Sequence, residues 1–318
     1  MEISRLSVET LPSLDKEKKL YIAYSPVYKY KLPEGHRFPM EKYELIPEQL
    51  LYEGSISKDQ FFHPVQMSDE LILSTHTKDY LDKLNAVNLD RREQRDIGFP
   101  IRKDLIERGK YIAHGTLECA YHAMEYGVSM NVAGGTHHAY ADRGEGFCVF
   151  NDIALASNIL LNRGHSSRIL IVDLDVHQGN GTAHIFQDDH RVFTFSMHGE
   201  RNYPLRKEKS DLDIGLPDGC EDDYYLKMLK AELPDLIASF KPDFVFYLSG
   251  VDVLASDKLG RLALTKEGCK ERDRIVFQEC LGNNLPVAVS MGGGYSVRVA
   301  DIVDAHCNTF RLAQELFF

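Results

Sequence analysis

Residues 168–182 read RILIVDLDVHQGNGT. The first half, Arg168–Asp173, is apolar on consecutive positions rather than alternate ones, which marks a strand covered on both faces. The second half turns polar and glycine-rich at once, so the strand runs straight into a loop that carries Asp173, Asp175 and His177. Five other runs share the apolar character: Leu20–Tyr24, Ser129–Val132, Val192–Met197, Asp243–Leu248 and Pro286–Met291. Between them lie stretches of helical period at Lys103–Tyr126, Asp152–Asn162, Asp222–Phe240 and Thr265–Asn283. Strand and helix in alternation predict an α/β fold with a central, mostly parallel sheet and helices on both faces.

In such sheets ligands gather at the carboxyl ends of the strands. Five ends carry chemistry here. Ser129–Val132 leads into AGGTHHA, Arg168–Asp173 into LDVHQGNGT, and Val192–Met197 into HGERNYP. Asp243–Leu248 leads into SGVD, and Pro286–Met291 into GGGYS. One such end is a turn; five point to loops that meet at one site.

Asp175 and His177 lie two apart, and an extended backbone would place both side chains on one side. With Asp252 from another strand end they would offer two carboxylates and an imidazole, and three protein ligands leave a position open for hydrolytic chemistry at a zinc ion. A lone D-x-H equally describes a solvated strand end. His137 and His138 follow two glycines; a neutral imidazole beside a metal is a general base, while a His pair is also an ordinary turn. Asp173 sits where it would orient one of these rings. Tyr295, after three glycines, is placed either as an exposed turn residue or as a hydroxyl donor to a developing oxyanion.

The rest of the sequence narrows the class. Its 318 residues, 43% hydrophobic and 27% charged, suit a globular chain. No long apolar run or signal-like leader is present, so no membrane association is expected. A formal net charge of −11 disfavours direct nucleic-acid binding and would favour encounter with basic substrates. The six cysteines show no C-x-x-C spacing, which predicts free thiols in a reducing cytoplasm, or a nucleocytoplasmic setting in a eukaryote. The acidic stretch 221–223 suits a helix N-terminus. Arg201–Lys209 and Asp90–Asp96 read as charged loops.

Taken together, GGTHHA, GFCVFND, ILIVDLDVHQGNGT, SGVDVLASDKLGRLALT and SMGGGYS resemble the zinc-dependent histone deacetylases of the arginase–deacetylase superfamily. The N-terminal SPVYKYKLPEGHRFPMEKY is similar to the class IV branch and its bacterial and plant relatives. The resemblance implies one catalytic domain over residues 1–318, with a core from about 20 to 315. It implies one zinc ion on Asp175, His177 and Asp252, His138 as general base, His137 as its neighbour held charged by Asp173, and Tyr295 as oxyanion donor. Gly146, Phe147, Tyr203, Leu259 and Gly293 would line a tunnel for the lysine stem. A structural potassium ion would lie near Asp173, Asp175, His177 and Ser196, and Arg37 would stand behind the site to help the product leave.

The same resemblance marks departures. Asn180 replaces the aspartate that class I members place behind the second histidine, as it does in class II and IV, and predicts a lower pKa for His138. Gly179 stands where two-metal relatives carry a bridging aspartate, so one metal is expected. The implied activity is removal of acyl groups, acetyl or long-chain fatty-acyl, from lysine in a protein or peptide, by a stand-alone enzyme. Two other readings are deacylation of small amines such as acetylpolyamines, which Leu259 disfavours because it supplies no acidic gate, and an inactive acyl-lysine binder.

Overall fold

The computed structural model describes residues 17–318. Its strands are β1 (Tyr21–Ala23), β2 (Phe61–Phe62), β3 (Val128–Asn131), β4 (Ile169–Asp173), β5 (Val192–Gly199), β6 (Leu212–Leu216), β7 (Phe244–Leu248) and β8 (Val287–Ser290). They form one sheet in the order β2-β1-β3-β8-β7-β4-β5-β6. Every neighbouring pair is parallel, so the expected mostly parallel sheet is wholly so. The central strands are buried at every residue. Each Val, Ile, Leu or Phe removed from water there contributes about 1.5–3 kcal/mol.

The helices are α1 (Lys42–Tyr52), α2 (Asp69–Ile72), α3 (Lys78–Asn85), α4 (Arg91–Ile97), α5 (Lys103–Tyr126), α6 (Asp152–Asn162), α7 (Asn180–Phe186), α8 (Asp222–Phe240), α9 (Lys266–Gly282) and α10 (Val299–Phe317). α5 packs on α6 and against β1, β3 and β8, while α8, α9, α10 and α1 pack in succession as a second layer. The four helices read from periodicity appear at their expected places. α9 starts at a Thr265 cap whose side chain accepts from the Gly268 amide. No described helix is long and apolar enough to cross a membrane, and the six cysteines are buried free thiols.

Three elements differ from the sequence reading. Asp90–Asp96 is not a loop. Asp90 caps α4 by accepting from the amides of Arg92 and Glu93, Glu93 reaches back to the Asp90 amide, and Gly98 closes the helix at φ 78°. That reciprocal D-x-x-E capping box outweighs the helix's charged composition. The edge strands β2 and β6 are absent from the sequence reading: β2 is only the pair Phe61–Phe62, too short to stand out as a strand. Leu212–Leu216 alternates half-buried and exposed positions and follows the pattern of a one-sided edge rather than of a core strand.

Candidate active site

The carboxyl ends of β3, β4 and β8 meet over one cavity, whose walls include His137, His138, Asp175, His177, Gly293 and Tyr295, with Asp252 from the end of β7 buried beside Asp175 and His177. Asp175, His177 and Asp252 each offer a ligand atom, all within 4.8 Å of one another and all buried. His177 Nδ1 stands 3.0 Å from Asp175 Oδ1 and 3.1 Å from Asp252 Oδ2. The cause is not strand alternation. β4 ends at Asp173, and Asp175 turns the chain by accepting the His177 amide at 3.0 Å. Gly293 backs the pair: its amide donates to Asp175 Oδ2 at 2.7 Å, and a Cβ on it would collide with the Asp252 carboxylate.

The charge of this group is unbalanced by carboxylates. Burial and the Asp175 charge push Asp252 up to about 7. Burial also works against a charged His177, yet the two acids raise it to about 10. Two buried carboxylates that hold a proton on the ring between them form a donor set that fits a divalent cation, and oxygen and imidazole donors with an open side suit zinc.

The two adjacent histidines are set in opposite states. Burial disfavours charge on His137, but Asp173, 2.7 Å from its Nδ1, overrides that and raises it. His138 is held well below its ordinary value by burial first, then by the neighbouring rings of His137 and His177. Its Nδ1 lies 2.6 Å from Asn180 Oδ1. With the Asn180 NH₂ spent on Tyr140 Oη and Glu145 Oε2, the amide oxygen must accept from the ring, and that leaves His138 Nε2 as the basic nitrogen. The loop before the pair hangs on Asp152, whose carboxylate accepts the amides of Gly135 and Thr136.

Gly146 and Phe147 form one wall. Gly146 sits at φ 53°, where a side chain would strike the His138 ring. The wall is pinned to the end of α4, since the Gly146 and Phe147 amides donate to the carbonyls of Asp96 and Ile97. Tyr203 stands opposite, perpendicular to His138 at 4.9 Å between ring centroids, and its hydroxyl donates to Glu145 at 2.7 Å. Leu259 lies at the mouth beside Tyr203. Tyr295 is buried against Phe38 and Phe147, and its amide is fixed by Asp257 at 2.6 Å. Ser196 pairs in register with Asp173 across β4 and β5, and its hydroxyl meets His198 Nδ1 at 2.9 Å.

Arg37 is not behind the site. It is exposed at the mouth, its guanidinium 5.0 Å from the Phe147 ring centroid. His36 sets this: its Nε2 meets the Gly98 carbonyl and its Nδ1 accepts the Phe38 amide, a turn that sends Phe38 inward and leaves Arg37 outside. The arginine lining the inner cavity is Arg108 of α5, which is buried and donates to the Tyr28 carbonyl at 2.6 Å. Sequence reading missed it because one arginine on a long amphipathic helix looks like its solvated face. It missed Lys42 for the same reason. Lys42 is fully buried and donates to the Gly292 carbonyl at 3.0 Å, at the root of the tyrosine loop. The sequence signal for Glu145 is its position next to Gly146.

The histone deacetylase domain family matches residues 36–310. An uncharacterized protein of Picosynechococcus is 46% identical over 297 residues, 93% of this chain and 99% of that one. Histone deacetylase 2 of Arabidopsis thaliana is 30% identical over 336 residues, covering 95% of this chain and 85% of its own length. Among solved structures, an HDAC homolog from Aquifex aeolicus superposes with a TM-score of 0.79 at 23% identity, over 92% of this chain and 83% of that chain, a likeness of fold.

Proposed function

This chain belongs to the histone deacetylase family, and from that premise we propose that it hydrolyses the Nε-acyl amide of lysine in a protein or peptide with one zinc ion held by Asp175, His177 and Asp252. The observation that carries the reading is the buried cluster of those three donors, two of which, Asp175 and His177, line one cavity with His138 and Tyr295, below a mouth lined by Phe147 and Tyr203. When bound, zinc supplies Lewis acidity to the amide carbonyl and to water.

The chain's own groups do the rest. The apolar walls strip water from the lysine stem and align the amide. His138, neutral and with its Nε2 lone pair free, takes the proton of the attacking water. Tyr295 donates its hydroxyl hydrogen to the carbonyl oxygen as negative charge builds there; its own ionisation is suppressed, since burial and the Asp252 and Asp175 charges hold it well above its ordinary value. His137, kept charged by Asp173, stabilises the charge that develops and is a proton source for the departing amine. Arg108, which lines the inner cavity, rather than Arg37 at the mouth, draws the carboxylate product inward. A potassium ion is proposed beside Asp173, Asp175, His177 and Ser196.

The inner cavity supports a short acyl group. Phe38, Tyr43 and Ile112 give it apolar lining, but Arg108 lines it as well, and a long alkyl chain would have to pack its methylenes against that charged residue. The test is hydrolysis of one lysine peptide carrying either acetyl or myristoyl, alongside a free acetylated polyamine, by the zinc-loaded protein. Turnover of the acetyl peptide above the others is expected. Turnover of the polyamine alone would replace the lysine-peptide reading.

A further inference from the structure

The mouth of the tunnel is lined by four arginines, Arg37, Arg95, Arg201 and Arg261, on a chain that carries 48 acidic residues against 37 basic ones. Two acids share the basin, and both are already engaged. Asp96 lies 3.7 Å from Arg92. Glu145 is held by Arg143 at 3.0 Å and by the Tyr203 hydroxyl. On one wall Arg201 and Arg261 divide a single carboxylate, Asp218, at 3.8 and 3.1 Å. On the other, Arg37 rests only on the Phe147 ring, and Arg95 projects from α4; neither has a carboxylate partner among the described residues. The local sign is thus opposite to the net charge, and the expected attraction for basic substrates is reversed where the substrate enters.

We propose that this basic collar selects acyl-lysine in an acidic sequence context, with Asp or Glu on either side of the modified residue. The inference rests on the lysine-peptide reading above. An extended peptide advances about 3.3 Å per residue, so residues next to an acyl-lysine seated between Phe147 and Tyr203 lie over the two arginine walls. Guanidinium presents a planar fork that matches a carboxylate bidentately, and arginines fixed on two walls of one basin focus the field into the mouth. Basic flanks, as in a lysine- and arginine-rich tail, meet like charge on both sides.

The test compares acetyl-lysine peptides flanked by Asp and Glu, by Gly and Ala, or by Lys and Arg, on the zinc-loaded full chain. The acidic peptide is expected to lead the basic one in kcat/KM by about tenfold or more, mostly through KM, and the gap should close as salt rises. In Arg37→Gln/Arg95→Gln, and separately in Arg201→Gln/Arg261→Gln on the facing wall, the acidic-to-basic ratio falls toward one. Equal rates for the three peptides, or a lead for the basic one, overturn the collar while leaving the lysine reading intact. Turnover of a free acetylated amine with none of any peptide overturns both.

Discussion

The side-chain oxygen of Asn180 stands 2.6 Å from Nδ1 of His138, and this contact leaves Nε2 as the basic nitrogen of the ring proposed as the general base. An amide does so without adding charge, so the ring stays neutral. The base must be unprotonated to act, and activity is lost as pH falls through its pKa. Because His138 is depressed, the acid limb of kcat/KM contributed by this ring is expected below pH 6.5. Asn180→Asp puts a carboxylate against Nδ1, favours the charged ring and raises its pKa. The limb should then move to higher pH. A limb that stays put in this variant would remove His138 as the base.

Glu145 fixes the Asn180 amide from behind and the Tyr203 hydroxyl from the side. Glu145→Gln can donate where the carboxylate only accepted, and so frees the amide to flip. We expect kcat to fall about tenfold and KM to rise as Tyr203 loosens, with folding unaffected by circular dichroism. Loss in KM alone would confine Glu145 to the tunnel wall.

Tyr295→Phe removes one hydroxyl and keeps the ring packed on Phe38 and Phe147. The loss should fall on kcat, by about 10²–10³-fold, the size seen when one oxyanion donor is deleted. Zinc content by elemental analysis should match the parent protein.

Zinc should stabilise the folded chain as well as activate it. At a hundredfold excess over its Kd a ligand adds about 2.7 kcal/mol, which reads as a rise in Tm. Asp252→Ala and Asp175→Ala should lose that rise together with the activity. A zinc-induced rise that survives in both variants would place the metal elsewhere.

Arg272 and Asp273 form a fully buried ion pair on α9, and Arg272 also donates to the carbonyls of Leu174 and Gly250, the residues flanking Asp175 and preceding Asp252 by two. Arg272→Met strands the Asp273 charge and should cost about 3–5 kcal/mol in denaturant unfolding. Zinc affinity should fall as well, since both ligand loops lose a common anchor. Unchanged stability would mean that Asp273 is satisfied by Tyr247 and Thr309 alone.

Much of this was legible in the sequence because it is local. Unbroken apolar runs such as Ile169–Val172 and Phe244–Leu248 announce strands buried on both faces, and the polar ends that follow them announce the site. What stayed hidden depends on partners distant in the chain. Lys42 lies 250 residues from the carbonyl it holds. Arg108 reads as solvated until the fold closes over it. Arg37 follows a histidine that looks like part of the site, yet the bond from His36 to Gly98, 62 residues away, turns it outward. The same distance effect hides the collar, whose arginines come from four separate stretches.

The donors of the proposed metal cluster are 77 positions apart at their extremes, and the amide that steadies Asp175 belongs to Gly293, 118 residues beyond Asp175. During synthesis the loop after β4 that bears Asp175 therefore leaves the ribosome long before its partners exist. An all-parallel sheet assembled from such distant segments forms slowly, because loop closure precedes the contacts that reward it. Capture of the proposed metal would accordingly belong to the close of maturation. A nascent chain halted before β8 would hold both carboxylates and still lack the backbone donor that sets one of them in place.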